Sequence, residues 1–241
     1  MKVMEEKRNR QKPNYRREMD DIVAGMQKEG VRKRLLLHAC CAPCSTACLE
    51  LLVRFFDVTV LFYNPNITER EEYVKRLEEE KRLIALFNQG LPREEADAPR
   101  AESVIRILES RYDPEAFFAV AKGYESAPEG AERCRRCFTL RLHEAARVAA
   151  DGDAACPHPF DYFTTTLTIS PLKNADMLNE IGREAGMLHG VPFLPSDFKK
   201  KDGFLRSLRM SEELQLYRQD YCGCIYSKAE RSCAKCRAQC T

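Results

Sequence analysis

Three short groups of cysteine hold the plainest chemistry in this chain. Cys40 and Cys41 are adjacent, with Cys44 close behind, in HACCAPC; Cys134 and Cys137 form a C-x-x-C in ERCRRCF; Cys222 and Cys224 form a C-x-C in YCGC. Adjacent cysteines serve packing poorly and pair badly with each other. In a reducing compartment, clustered cysteines hold metal or do redox work. A 4Fe–4S cluster takes four thiolates, often with a C-x-x-C pair among them. Structural zinc also takes four, usually as two C-x2-4-C knuckles. One knuckle, one vicinal pair and one C-x-C suit a cluster better than a zinc ribbon. The thiols exceed four, which leaves some for a second metal or a redox dithiol. A Cys222–Cys224 disulfide would close a small strained ring, and strained disulfides are easily reduced.

The remaining cysteines say less. Cys44 and Cys48 fall on the helix expected after the first strand, where cysteine also serves as a small core residue. Cys44 stays a candidate ligand; Cys48 and the lone Cys156 read as packing residues. Cys233, Cys236 and Cys240 share one helical face in the C-terminal tail and have the spacing of an extra metal site.

The elements that must position these groups can be read from periodicity. RLLLHA (34–39) is a continuous apolar run, the pattern of a buried parallel strand, and opens into Cys40 and Cys41. A helix is expected over 17–29, ending at Gly30, and another over 45–55, capped by Ser45 or Thr46. DVTVLFYNP (57–65) reads as a second strand, and 68–90 as an amphipathic helix capped by Thr68 with Glu71. LPREEADAPRA is a loop. Then come a strand over 103–110, a helix over 113–123, and a helix over 129–152 that carries Cys134 and Cys137. A Thr-rich strand (161–170), a helix (174–186), a short strand (190–195) and a helical stretch over 203–227 complete the chain.

Strand and helix alternate without hairpin signals. That predicts an α/β fold with a doubly wound, mostly parallel, Rossmann-like sheet. Sites in such sheets form at the carboxyl ends of the strands. Cys40 and Cys41 fall there, at a helix start that favours thiolate. Residues 1–30 read as a basic N-terminal extension, 31–227 as the α/β domain and 228–241 as a cysteine-containing tail.

With 44% apolar and 32% charged residues, the chain is an ordinary globular protein. Its charged start, MKVMEEKRNRQKPNYRREMDD, is no secretory signal, and no window is apolar enough to span a bilayer; a cytoplasmic protein with no membrane partner is expected. Net charge is only +2, but FKKKDGFLRSLR (198–209) and both termini are basic, which fits a phosphate-rich partner, although charge alone favours a simple solvated surface. Near the strand ends, His38 reads as a buried strand residue or a donor to thiolate sulfur. Tyr63, Asn64 and Asn66 read as substrate contacts or as Asn-Pro-Asn turn chemistry. Asp197, His38 and Tyr63 are the candidate proton donors.

Six stretches in order, HACCAPC, FYNPNI (62–67), ERCRRCF (132–138), DYFTTTLTISPLKN (161–174), DFKKKDG (197–203) and YCGCIYS (221–227), resemble the epoxyqueuosine reductase QueH family. The resemblance runs from about 34 to 227. It implies an adenine-nucleotide α-hydrolase-like fold. It also implies an oxidoreductase that removes the epoxide oxygen of epoxyqueuosine, giving queuosine at the wobble position of tRNAs for His, Asp, Asn and Tyr. By the same resemblance, Cys40, Cys41, Cys134 and Cys137 hold a 4Fe–4S cluster, and Cys222 and Cys224 are a disulfide-forming catalytic pair. It leaves room for an additional mononuclear iron, with Cys44, Cys222 and Cys224 among its candidate metal ligands; some members carry Asp in place of Cys44. An unidentified low-potential electron donor is implied as a partner. Two other readings stand beside it. An iron–sulfur tRNA thiolase would need a glycine-rich phosphate loop after the first strand, where HACCAPCST has no glycine. A zinc-stabilised RNA-binding module would need no redox chemistry.

Overall fold

The computed structural model describes residues 13–90, 104–152 and 158–239; the basic N-terminal tail, the 91–101 loop, Cys156 and Cys240 lie outside them. The apolar runs form four parallel strands, β1 (Lys33–His38), β2 (Phe56–Phe62), β3 (Arg106–Glu109) and β4 (Tyr162–Thr165), in the order β3-β2-β1-β4. Parallel pairing brings all four carboxyl ends to one rim. At that rim His38 lies opposite Leu61 on one side and Thr165 on the other.

Both faces of the sheet are covered, as continuous apolar strands require. On one face Leu35, Leu37, Val58 and Val60 pack against α1 (Tyr15–Glu29), α2 (Ala42–Leu52) and α3 (Arg70–Asn88) through Met19, Val23, Cys48, Leu49 and Leu83. On the other, Leu36, Leu61 and Phe163 meet α5 (Glu132–Asp151) and α6 (Ala175–His189) through Ala145, Ala146, Ala149 and Ala185. The small side chains let both helices lie close to the sheet. Three further helices complete the order: α4 (Pro114–Ala121), α7 (Gly203–Glu213) and α8 (Ile225–Gln239). α1 is seated on the core, and α8 runs unbroken through residue 228. No described helix is long and apolar enough to cross a membrane.

The structure corrects several boundaries, each for a local reason. α2 begins at Ala42, with extended Cys41 as its N-cap and Pro43 in the first turn, where a fixed φ suits a helix start. Ser45 and Thr46 are therefore not caps; their hydroxyls donate to the Cys41 carbonyl at 3.2 Å and the Pro43 carbonyl at 2.9 Å. Thr68 does not cap α3 either, since Glu69 holds that position. The strand expected over 161–170 stops at Thr165, whose hydroxyl accepts the Leu167 amide at 3.1 Å and opens a 3-10 turn over Thr166–Ile169. Residues 190–195 make one bridge, Phe163 to Phe193, because Pro192 and Pro195 lack the amides a strand needs. The helical stretch expected over 203–227 is two helices, α7 and α8, with Cys222 and Cys224 in the irregular chain between them.

Candidate metal and redox site

Because α2 starts at Ala42, the first cysteine group is compact. The Sγ atoms of Cys40 and Cys41 are 3.7 Å apart, and those of Cys40, Cys41 and Cys44 all lie within 4.8 Å of one another. The 3-10 turn adds Thr166, whose Oγ1 lies 3.7 Å from the Cys40 sulfur and accepts the Cys40 amide at 3.4 Å. Hydrogen bonds from Cys41 and Cys44 hold the Cys40 thiol well below its usual range, helped by the charges of Lys173 and Arg141. The same hydrogen bond pushes Cys41 up to about 12, and Cys44 is also raised. Of the three thiols, Cys40 is the one whose surroundings favour the thiolate. Making all three thiolates at once needs a cation among them.

The other groups come to the same place. Cys134, in the first turn of α5, accepts the Gly130 amide at 3.2 Å and packs against the Cys40–Cys41 group with Phe138, Leu142 and Leu167. Cys137 packs with Cys224, Phe117 and Ala121, and burial pushes its thiol up to about 12. Cys222 faces Cys134, Cys137 and Lys173 across the site. Burial raises Cys224 despite its hydrogen bonds with Ser227. Three groups roughly ninety residues apart in sequence therefore pack near one another, though among the described residues only Cys40, Cys41 and Cys44 lie within 4.8 Å of each other. The soft donor set suits iron–sulfur or zinc. Every described cysteine is a free thiol, so Cys222 and Cys224 are not joined in a disulfide. Cys48 is fully buried in the core, as expected of a packing residue.

The C-x-C segment is held by α3. Arg76, only 2% exposed, donates to the carbonyls of Cys222 at 3.1 Å and Tyr221 at 3.4 Å, while its Nε pairs with Glu72 at 2.6 Å. Asn66 donates to the Cys222 carbonyl at 3.3 Å, and the Thr68 amide to the Gly223 carbonyl at 3.3 Å. Gly223 has φ 128, and a Cβ there would sit 2.9 Å from Ile67 Cγ1 and 3.2 Å from Asn66 Nδ2. Gly223→Ala is therefore expected to destabilise the protein by about 1–3 kcal/mol and to loosen the segment. Mass-spectrometric alkylation kinetics should show Cys222 and Cys224 reacting faster, with Cys48 unchanged.

A cavity of about 200 Å³ is lined by Cys40, Cys44, Cys222, Arg76, Lys173, Arg218 and Arg231 among others. Lys173 is set by a turn, its amide donating to the Ser170 carbonyl at 3.2 Å, just before Asn174 caps α6. Burial alone pulls its ammonium down, but the sulfurs of Cys222, Cys40 and Cys44 outweigh that and raise it. The three expected proton donors are elsewhere. His38 is fully buried and kept neutral, its pKa lowered to about 3 by burial and by Arg141. Tyr63 lines a separate groove with Arg135, His143 and His189. Asp197 pairs with Lys199 at 2.7 Å. Asn64 and Asn66 brace the Cys40 and Cys222 segments, Asn64 by donating to the Ala39 carbonyl at 2.9 Å. Part of the basic stretch is likewise spent internally, on Lys201–Asp20 and Arg206–Glu50 pairs. Lys173, Arg76 and Arg141 were missed from sequence. Arg141 carried a signal, since it follows Cys134 and Cys137 at i+7 and i+4 on one helical face.

Behind α2 lies Glu80, with both carboxyl oxygens buried and unpartnered; the facing Ser45 hydroxyl is spent on the Cys41 carbonyl. Burial pushes this carboxyl up from 4.5 to about 8. Between those values the folded protein keeps a proton that the unfolded chain releases, so stability falls as pH rises. Glu80→Gln removes that dependence. Its stability advantage over wild type is expected to grow by ~2–3 kcal/mol between pH 6 and pH 8, read by urea unfolding at both.

A family model described as epoxyqueuosine reductase QueH matches residues 35–230. A protein of that name from Streptococcus pyogenes serotype M1 is 40% identical over 217 residues, covering 90% of this chain and 79% of the relative. One from Staphylococcus epidermidis is 37% identical over 223 residues, covering 92% and 87%. One from Thermotoga maritima is 32% identical over 203 residues, covering 82% and 91%. This chain belongs to the epoxyqueuosine reductase QueH family. The QueH match spans all seven clustered cysteines together with Lys173, Arg76 and Arg141. It ends before Cys233 and Cys236, which are exposed on α8.

Proposed function

We propose that this chain reduces epoxyqueuosine to queuosine in tRNA, at the wobble position of the His, Asp, Asn and Tyr tRNAs. One observation carries the reading beyond family membership. Cysteines of two distant groups, Cys40 and Cys44 with Cys222, line one cavity together with a cation, Lys173, and Cys134 and Cys137 pack against those groups from α5. In this reading Cys40, Cys41, Cys134 and Cys137 hold a 4Fe–4S cluster. Cys44, Cys222 and Cys224 remain for an additional iron or for a redox dithiol. Bound there, the iron centre would supply single electrons and Lewis acidity.

The protein's own groups have separate tasks. Opening the epoxide to an alkene takes two electrons and two protons and releases water. Lys173 Nζ bears a proton inside the cavity and is placed to donate to the departing oxygen. Cys222 and Cys224 as a dithiol yield two electrons and two protons on closing to a disulfide, which balances one turnover. Ile169, Pro171 and Leu172 form an apolar wall against which a splayed base can rest. Arg218 and Arg231 also line the cavity, where they could meet backbone phosphates of the anticodon loop. Electrons for the next turnover come from an external low-potential donor, and the work is done in the cytoplasm.

The test is anaerobic reconstitution with iron and sulfide, then conversion of epoxyqueuosine-containing tRNA read by nucleoside mass spectrometry. About four irons per chain and formation of queuosine without ATP are expected. A colourless protein holding stoichiometric zinc and converting nothing would sink the reading.

A further inference from the structure

Arg141 is a buried guanidinium with no carboxylate partner, on the helix that carries Cys134 and Cys137. It is 1% exposed and continues the face of α5 that carries Cys134 and Cys137. Its Nη2 donates to Asn64 Oδ1 at 2.6 Å, and its Nε lies 3.4 Å from His38 Nε2, which also meets the Tyr63 carbonyl at 3.1 Å. Its Nη1 is buried and has no partner. Neither partner is an anion, for Asn64 is an amide and His38 an imidazole. The acidic groups that feel its charge include the thiols of Cys40 and Cys137.

A buried charge with an idle donor is costly unless something negative completes it. Among the described residues neither a carboxylate nor a thiol hydrogen-bonds this guanidinium. A centre held by four thiolates is anionic, and its potential responds to nearby charge and to hydrogen bonds at sulfur. We propose that Arg141 is a positioning residue of the thiolate centre: its guanidinium offsets the charge held by Cys40 and Cys137 and raises the centre's reduction potential. This rests on the cluster reading above. Lys173 lines the cavity and is placed to meet substrate, whereas Arg141 is sealed behind the strand ends and acts through the sulfurs. Asn64 and His38 fix its position, which explains why two polar residues are fully buried at the ends of β1 and β2.

The test compares wild type, Arg141→Lys, Arg141→Gln and Asn64→Asp after anaerobic reconstitution. Iron and sulfide per chain are measured first, and the midpoint potential is then measured by a redox titration followed by electron paramagnetic resonance. Wild type and Arg141→Lys should have similar potentials. In Arg141→Gln the cluster should accept an electron about tenfold less readily, ~59 mV for one electron. Asn64→Asp keeps the guanidinium but sets a carboxylate against it, so its potential should fall as well; it decides alone if Arg141→Gln does not fold. A cluster present with unchanged potential in the variants that fold overturns the role of Arg141 and leaves the cluster reading intact. A wild type that takes up no cluster overturns the cluster reading itself.

Discussion

Cys134→Ser protein is expected to fold, to lose its full iron complement and to produce no detectable queuosine. Loss of a residue that merely supports a metal ligand costs about 10–100-fold in affinity or activity. Loss of one of four thiolates should exceed that. The fold has little reason to suffer. Cys134 is half-buried at the start of α5, its one hydrogen bond comes from the Gly130 amide, and a serine oxygen can accept it. Iron analysis and circular dichroism on the same sample separate the two effects. Native helix content with fewer irons and no turnover supports a ligand at this position. Undiminished turnover would refute it.

Lys173→Met should leave iron content and tRNA affinity near wild type and lower kcat by about 10²–10⁴, the range that a positioned proton donor contributes. Lys173 stands in the turn between the 3-10 segment and α6, and three cysteine sulfurs face its ammonium in the cavity wall. Methionine keeps most of the volume and removes the donor and the charge. Arginine keeps both, with its hydrogens placed differently, so Lys173→Arg should recover part of the rate. Single-turnover kinetics with measured tRNA binding checks this. A loss confined to KM would assign Lys173 to binding, and an unchanged kcat would remove it from the chemistry.

How far the chain could be read without its fold differs between its parts. The strand at 34–38 was legible because a segment buried on both faces must be apolar at every position, and helices α3 and α5 because their apolar positions recur at helical spacing. Errors came where one side chain overrode a propensity. Thr165 turned a β-rich run into a 3-10 segment, and Pro192 and Pro195 reduced a strand to a bridge. Arg76 and Asn66 hold Cys222 in an irregular segment that local periodicity alone reads as helix.

The site divides the same way. The sequence by itself determined the donor set, since thiol chemistry and ligand spacing belong to residue types and their order. It also determined that Cys40 and Cys41 follow a parallel strand, the place where such sheets present their sites. Only the tertiary structure decided that the cysteine groups pack near one another, that Lys173 rather than His38, Tyr63 or Asp197 lines the cavity, and that Arg141 ends beside His38 and Asn64 with a donor to spare. Those are contacts between segments tens of residues apart. They depend on how helices cross over the sheet and how far a long side chain reaches, and no local spacing encodes either.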